Sequence, residues 1–331
     1  MSYSHEKQIA IEAITQAARL CQMVRSEMVQ VDCLEKTDRS PVTVADLGAQ
    51  AVICRHLIAA FPEDTIVAEE DSDPLQGPEN ALRLVQVAQY VERLLPDATP
   101  AKVCDWIDQG RGNVTRRFWT LDPIDGTKGF MRGDQYAIAL ALIEGGQVRV
   151  AALACPALPW RMDCPDGRTG VLFVATKGEG AMMALLGDKH FVPIHVAPEP
   201  AQSRLVESTE AGHGNWRLQE AVARAVSPTH SPLRMDSQAK YGVVARGEAA
   251  LYLRFPSPQS PDYREKIWDH AAGALIVEES GGRVTDMYGQ ALCFDCGHEM
   301  HCNCGIIASN GVLHDAALRA VAGTRTWEKR A

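Results

Sequence analysis

Trp119-Thr120-Leu121-Asp122-Pro123-Ile124-Asp125-Gly126-Thr127 reads as a strand that ends in two carboxylates, a tight turn and a hydroxyl. Its opening residues are aromatic, β-branched or aliphatic, as in a strand inside a sheet, and Pro123 and Gly126 then fix the backbone between and after the acids. Asp122 and Asp125 can therefore point into one space. Two unit charges about 4 Å apart repel by about 4 kcal/mol at an effective dielectric of about 20, so such a pair either stays apart in water or holds hard cations between its members. Magnesium prefers oxygen ligands of this kind, although the loop alone is equally readable as a structural turn.

Working outward, Phe118 to about Ala184 reads as strands, with hairpin turns at Glu144-Gly145-Gly146-Gln147 and Lys177-Gly178-Glu179-Gly180. Consecutive hairpins predict an antiparallel sheet. Towards the N-terminus, Ala10, Ile14, Ala17, Cys21, Val24 and Met28 recur at steps of four and three and line one face of a helix that should lie on that sheet. A second helix begins after Thr43, turns Ala51, Ile53, Leu57 and Ile58 inward and stops before Pro62, and Thr65 to Ala68 follow as a short strand. Between Asp71 and Arg117 a polar, helical stretch offers Leu84, Val87, Ala88, Val91, Leu94 and Leu95 for packing and reads as an insertion covering a sheet edge. Pro198 to Pro200 reads as a linker, after which strands and helices alternate through Asn310.

The chain has 331 residues, 46% hydrophobic and 23% charged, enough for a large core and long enough to favour two domains. We place these at residues 1–199, an α+β domain, and 200–331, a smaller α/β domain. The net charge of −9 argues against a nucleic-acid polymer as partner, so an anionic substrate would need a locally positive site. The start, Met1 to Lys7, is polar, and no stretch approaches the roughly 18 apolar residues of a membrane span, which predicts a cytoplasmic protein without membrane attachment. Ten cysteines in such a chain read as thiols rather than as a disulfide framework.

Three further acidic positions accompany the loop: Asp46 after Val44-Ala45, the pair Glu69-Glu70 at a strand end, and Asp269 in Ile267-Trp268-Asp269-His270-Ala271-Ala272-Gly273. Each has a structural alternative, since Thr43 to Asp46 fits a capping box, Glu70 and Asp71 fit a helix cap, and Asp269 fits the first turn of a helix running to Glu279. Together, Ser40-Pro41-Val42-Thr43-Val44-Ala45-Asp46, Val67-Ala68-Glu69-Glu70, Asp122 to Phe130 and Lys266 to Gly273 resemble, in that order, the motifs of the inositol monophosphatase superfamily across nearly the whole chain. Phe118-Trp119, Arg132-Gly133-Asp134-Gln135-Tyr136, Asp236-Ser237-Gln238-Ala239-Lys240-Tyr241 and Leu251-Tyr252-Leu253-Arg254-Phe255-Pro256 are most similar to its 3'(2'),5'-bisphosphate nucleotidases, which hydrolyse 3'-phosphoadenosine 5'-phosphate to AMP and phosphate.

The resemblance implies a layered α/β (αβαβα) sandwich with a larger antiparallel and a smaller mixed sheet. It implies magnesium, about two or three ions, held by Glu69, Asp122, Asp125, Asp269 and the Ile124 carbonyl oxygen. It further implies that Asp46 and Thr127 orient and deprotonate the attacking water, with Glu70 as an outer partner, and that lithium inhibits. Gly126 and Thr127 would offer backbone N–H groups to the phosphate. His213, Ser237, Lys240 and Arg254 would form the nucleotide side of the pocket, Lys240 and Arg254 providing a second anion site that helps to position the scissile phosphate. The partner is then a small adenosine bisphosphate, and the assembly a monomer or homodimer.

Alternatives remain at this stage. An inositol phosphate phosphatase would share the metal cluster, and a nucleotide sensor without turnover would share the fold. Aspartyl-phosphate phosphotransferases also place Asp-Gly-Thr at a strand end, but one residue separates their aspartates where Pro123 and Ile124 intervene here. Cys293-x-x-Cys296 and Cys302-x-Cys304, with His298 and His301 between them, depart from the family pattern and offer donors for zinc or a redox role, against a plain loop leading into Gly305 to Ala308.

Overall fold

The computed structural model of the chain describes residues 2–27, 33–35, 41–164, 167–198, 204–209, 214–260 and 262–328. Helix α1 (Ser4–Glu27) is followed by the short pair β1 (Cys33–Glu35) and β2 (Pro41–Thr43), then α2 (Val44–Ala60) and β3 (Thr65–Ala68). Helices α3 (Ala81–Glu92) and α4 (Pro100–Asp108) lead to β4 (Arg117–Asp125) and the single turn-and-a-half of α5 (Thr127–Arg132). A run of strands comes next: β5 (Ala137–Glu144), β6 (Gln147–Pro159), β7 (Thr169–Thr176), β8 (Gly180–Leu185) and β9 (Val192–Pro193). The remainder comprises β10 (Leu205–Glu207), α6 (Trp216–Val226), β11 (Leu233–Arg234), α7 (Ala239–Ala245), β12 (Leu251–Arg254), α8 (Ala271–Glu279), β13 (Arg283–Thr285), β14 (Ile306–Ser309) and α9 (His314–Glu328).

Two sheets result. The seven-stranded one runs in sequence order from β3 to β9, antiparallel throughout except that β3 lies parallel to β4. The five-stranded one has the order β11-β10-β12-β14-β13 and is mixed, β10 being parallel to both β11 and β12. Every described strand of the larger sheet precedes Ile194, and every strand of the smaller one follows Arg204. Five layers stack. Helices α1 and α2 cover one face of the large sheet, α7 and α8 fill the space between the sheets, and α6 and α9 close the far side.

The predicted stripe of α1 is buried from Ala10 to Val24, while Met28 and most of the expected linker lie outside the described residues. Helix α2 starts where its capping box requires. The Thr43 side chain accepts from Ala45 and Asp46 N–H groups, and Asp46 accepts in return from the Thr43 backbone. The Asp71 to Arg117 stretch does cover an edge: Ala68 N–H donates to the Gly110 carbonyl and Gly112 N–H to that of Ile66, so the edge strand β3 is paired rather than open. Glycine is needed there, because a Cβ on Gly112 would lie 2.5 Å from the Ile66 oxygen. Asp71 Oδ1 accepts from Asp73 N–H at 3.0 Å where the short 3₁₀ turn Asp73–Leu75 begins, and Thr99 accepts from Lys102 N–H at the start of α4. Among the described residues no helix is long and apolar enough to cross a membrane.

The central layer depends on close helix contact. A Cβ on Gly273 of α8 would sit 2.3 Å from Cδ2 and 2.4 Å from Cγ of Tyr241 on α7, a ring fully buried between them. Gly273→Ala should therefore cost about 1–3 kcal/mol through forced repacking, whereas Gly323→Ala, with open space around it in α9, should be neutral or gain up to about 1 kcal/mol from helix propensity. Urea unfolding of both variants checks this. Equal stabilities would contradict the close packing of α7 on α8.

Candidate active site

The site grows from a defect in β4. Four residues, Asp122 to Asp125, stand opposite three, Ala139 to Ala137, so the register shifts by one between the acids. In a regular strand side chains three apart point to opposite faces; the extra residue of a bulge cancels that alternation and lets both carboxylates share one side. Pro123, which cannot donate to the ladder, occupies the bulge at no cost in lost hydrogen bonds. Gly126 then adopts φ 84°, and α5 begins at Thr127.

Thr127 closes the first half of the site. Its Oγ1 lies 3.3 Å from Asp46 Oδ1 and 3.1 Å from the Ile124 carbonyl oxygen. The other Asp46 oxygen accepts from Thr43 N–H at 2.9 Å and Thr43 O–H at 2.5 Å. The cap of α2 is thus the device that aims Asp46 at Thr127. Glu69 follows β3, with its N–H donating to the Leu121 carbonyl at 3.2 Å, which brings it beside Asp122. Glu70 comes next, its backbone held on both sides by the buried amide of Gln50, at 2.6 and 3.0 Å.

The carboxylates press on one another. Burial first, then the charges of Glu69, Asp125 and Asp269 and a hydrogen bond with Glu69, push the Asp122 acid well above the ordinary carboxyl range. Asp125 is raised by burial and held back by Lys240 and Arg254. Asp269 is raised well above its usual value by burial, with Asp125, Glu265 and Glu69 adding to it against Arg254. Asp122 Oδ1 is buried without a hydrogen-bond partner. Acidic oxygens, one of them orphaned, converging where water is scarce, are what a divalent cation would satisfy, so the donor set fits a hard metal.

The second half comes from the middle layer through Gln238. Its backbone N–H donates to Asp125 Oδ2 at 2.6 Å. Its side chain donates to the Trp268 carbonyl at 2.9 Å and accepts from Gly273 N–H at 3.4 Å, which fixes the segment on either side of Asp269. Asp269 itself ends a 3₁₀ turn, Ile267–Asp269, with His270 between it and α8, rather than lying within the first turn of that helix. Ser237, before Gln238, takes φ 69°, a left-handed conformation rare outside glycine, and a Cβ on Gly126 would come within 3.1 Å of its Cβ. The two loops touch at their glycine.

Two cations face the acids. Lys240 is buried, its Nζ donating to the Met235 carbonyl at 3.3 Å and lying 5.3 Å from the Tyr252 ring centre. Burial pushes its pKa down to about 8, with Asp125 opposing. Arg254 Nε donates to Glu265 Oε2 at 2.8 Å and Nη2 lies 3.9 Å from Asp269 Oδ2. Behind Glu265 runs a buried chain: its Oε2 is 3.2 Å from His270 Nε2, whose Nδ1 is 2.8 Å from Tyr241 Oη. Against its burial, Arg254 and His270 hold Glu265 down to about 2, so a carboxylate stands permanently behind the guanidinium.

The structure thus brings together Asp46, Glu69, Asp122, Ile124, Asp125, Gly126, Thr127, Ser237, Lys240, Arg254 and Asp269 of the sequence reading, with Glu70 adjoining through its backbone. His213 lies outside the described residues. Sequence reasoning missed the roles of Gln238, Glu265, His270 and Tyr241; two lie inside the quoted Asp236 to Tyr241 segment, but none has a local pattern that announces its partner. The expectation that the chain's cysteines are thiols is corrected at two of them: in the cluster whose state the sequence left open, Cys293 and Cys296 form a disulfide, while Cys302 and Cys304 are free. The turn between the pair holds the sulfurs within bonding distance.

Comparisons with known proteins agree with this architecture. The "Inositol monophosphatase family" description matches residues 3–325. A 3'(2'),5'-bisphosphate nucleotidase of Schizosaccharomyces pombe is 40% identical, covering 97% of this chain and 96% of the relative. A 3'(2'),5'-bisphosphate nucleotidase 1 of Arabidopsis thaliana is 40% identical over 100% of this chain and 99% of the relative. Among solved structures, the Thermotoga maritima IMPase superposes with a TM-score of 0.64 at 23% identity, covering 96% of both chains, a likeness of fold.

Raised carboxyl values carry a stability consequence. The unfolded aspartates titrate near 3.9, so above that pH the folded chain holds more protons than the unfolded one, and stability from these groups falls as pH rises through their folded values. In chelator, Asp122→Asn should therefore melt level with the parent near pH 4 and at least about 2 °C higher at pH 7. Added magnesium should raise the parent's melting temperature and shift the variant far less. A variant less stable than the parent in chelator at pH 7 would contradict the crowding of charge at Asp122.

Proposed function

This chain belongs to the inositol monophosphatase family, hydrolases of phosphorylated small molecules, and on that premise we propose that it is a 3'(2'),5'-bisphosphate nucleotidase releasing the 3'-phosphate of 3'-phosphoadenosine 5'-phosphate. The observation that carries the reading is the meeting of the Glu69, Asp122, Asp125 and Asp269 carboxylates with the Lys240 and Arg254 cations. An anionic substrate with two phosphates has use for both halves: one phosphate would lie at the acids, with the cations they would hold, and the other on the basic side chains. The names of the curated relatives, at about 40% identity over nearly full length, support the same substrate.

Magnesium held by Glu69, Asp122, Asp125, Asp269 and the Ile124 carbonyl would neutralise these acids, polarise the phosphoryl oxygens and acidify water. The chain's own work is positional. With its proton directed to Asp46, the Thr127 hydroxyl keeps lone pairs to accept the proton of a water placed beside Asp122 and Glu69, and Asp46 takes the Thr127 proton in exchange. Thr43 keeps Asp46 from rotating away. Glu70 adjoins as an outer partner. Gly126, in its left-handed turn, and Ser237 beside it form the wall where the phosphate would lie, and Gln238 holds the metal-side Asp125 against the basic half of the site. His213 is assigned to the adenosine side. Lithium inhibition accompanies this reading.

Phosphate release from 3'-phosphoadenosine 5'-phosphate and from inositol 1,4-bisphosphate, side by side with magnesium and with chelator, tests it. Preference for the nucleotide, abolished by chelator, is expected. Preference for the inositol substrate would keep the acids and overturn the assignment of Ser237, Lys240 and Arg254; turnover of neither would overturn the hydrolase. Thr127→Ala should lower kcat by roughly 10²–10⁴-fold, the usual weight of proton transfer, with KM little changed. A KM effect alone would remove Thr127 from the proton path.

A further inference from the structure

Outside the reactive centre, one group of side chains has the makings of a second site. Cys293, Cys296 and Cys302 bring their sulfurs within 4.8 Å of one another at the surface. The arrangement is built rather than incidental. Asn303, buried between the two arms of the loop, accepts from Cys293 N–H at 2.7 Å and donates to the Ala291 carbonyl at 2.9 Å, which carries the neighbouring Cys302 back to the first pair. Cys293-Phe294-Asp295-Cys296-Gly297 forms a tight knuckle whose Gly297 has φ 126°.

We propose that in the reduced chain Cys293, Cys296 and Cys302, with the Asp295 carboxylate, form a site for a soft divalent cation of the zinc class. In a tetrahedral site with metal–sulfur distances of about 2.3 Å and a metal–oxygen distance of about 2.1 Å, sulfurs stand roughly 3.8 Å apart and sulfur to oxygen roughly 3.6 Å. Here Cys302 Sγ is 3.6 Å from Cys296 Sγ, and Asp295 Oδ1 is 3.4 Å from Cys293 Sγ and 3.9 Å from Cys296 Sγ. Those three edges of the tetrahedron are already in place; the Cys293–Cys296 edge is closed to a disulfide. The intervening histidines face elsewhere, His298 Nε2 lying 3.2 Å from the Gly112 carbonyl oxygen and His301 Nε2 3.6 Å from Glu299. Sulfur donors also separate this site chemically from the all-oxygen carboxylate cluster.

Opening the site takes two electrons and two protons from a dithiol reductant, which breaks the Cys293–Cys296 bond and itself becomes a disulfide. As the ion binds, the three thiol protons pass to solvent. The loop is tied to the reactive centre, for Met300 N–H donates to the Glu265 carbonyl at 2.8 Å and Ile267 N–H to that of His298 at 3.0 Å. Disulfide and metal therefore compete for a loop that two backbone hydrogen bonds tie to Glu265 and Ile267, shortly before Asp269 in the chain.

The test uses the full chain, reduced by a phosphine, stripped of metal and of reductant without air, and titrated with cobalt(II). A near-ultraviolet sulfur-to-cobalt band saturating at about one equivalent, displaced by zinc, is the expected result. Cobalt at the carboxylate cluster gives no such band. Cys302→Ser, an exposed position, should lose most of the band's intensity, and Asp295→Asn should keep the band but bind more weakly. No sulfur band after a thiol count shows Cys293 and Cys296 reduced, a disulfide that resists the phosphine, or a band unchanged in Cys302→Ser would each overturn the proposal.

Discussion

The Gln238 hydrogen bonds hold together two halves that would otherwise repel. Asp122 and Asp125 come from β4 of the large sheet, Glu69 from the end of its edge strand β3 and Asp269 from the layer between the sheets, and their mutual charge raises the cost of charging Asp122 and Asp269. A backbone N–H to Asp125 and a side-chain amide spanning Trp268 and Gly273 bring the halves to one place and hold them there. The left-handed turn at Ser237 is the strain accepted to aim that N–H.

The same junction explains the packing around it. Helices α7 and α8 must lie close enough for Gln238 to reach past Asp269, and glycines at their contact surfaces permit it: Gly273 faces Tyr241, and Gly242 faces the Phe173 ring of β7. Tyr241 then serves twice, as the ring that fills the contact and as the hydroxyl that ends the His270 and Glu265 chain behind Arg254. A core residue and a site residue are here one side chain, so packing and electrostatics cannot be varied independently.

The basic half has its own logic. A lone arginine facing carboxylates would swing to the nearest of them; Glu265, held ionised, anchors Nε and leaves Arg254 only 3.9 Å from Asp269 instead of bound to it. Lys240 is restrained by the Met235 carbonyl and the Tyr252 ring. Both cations are thereby held in place beside the acids, a local positive charge within a protein of negative net charge.

By itself the sequence determined the elements and which acidic side chains were candidates for one site. The Thr43 cap, the stripe from Ala10 to Val24, the hairpin glycines and the Asp122 to Thr127 turn are encoded within a few residues of one another, and local sterics and hydrogen bonding read them without help. The resemblance in ordered motifs carried the family. What only the tertiary structure decided was which distant groups meet: Asp125 with Gln238, Arg254 with Glu265 and His270, the edge of β3 with Gly110 and Gly112, and Cys302 with a Cys293–Cys296 disulfide where separate thiols were expected. Such contacts depend on how layers stack and on where a buried polar group must find its partner, and backbone propensity acts only over the nearest turn or pair of strands, so nothing local in the chain records them.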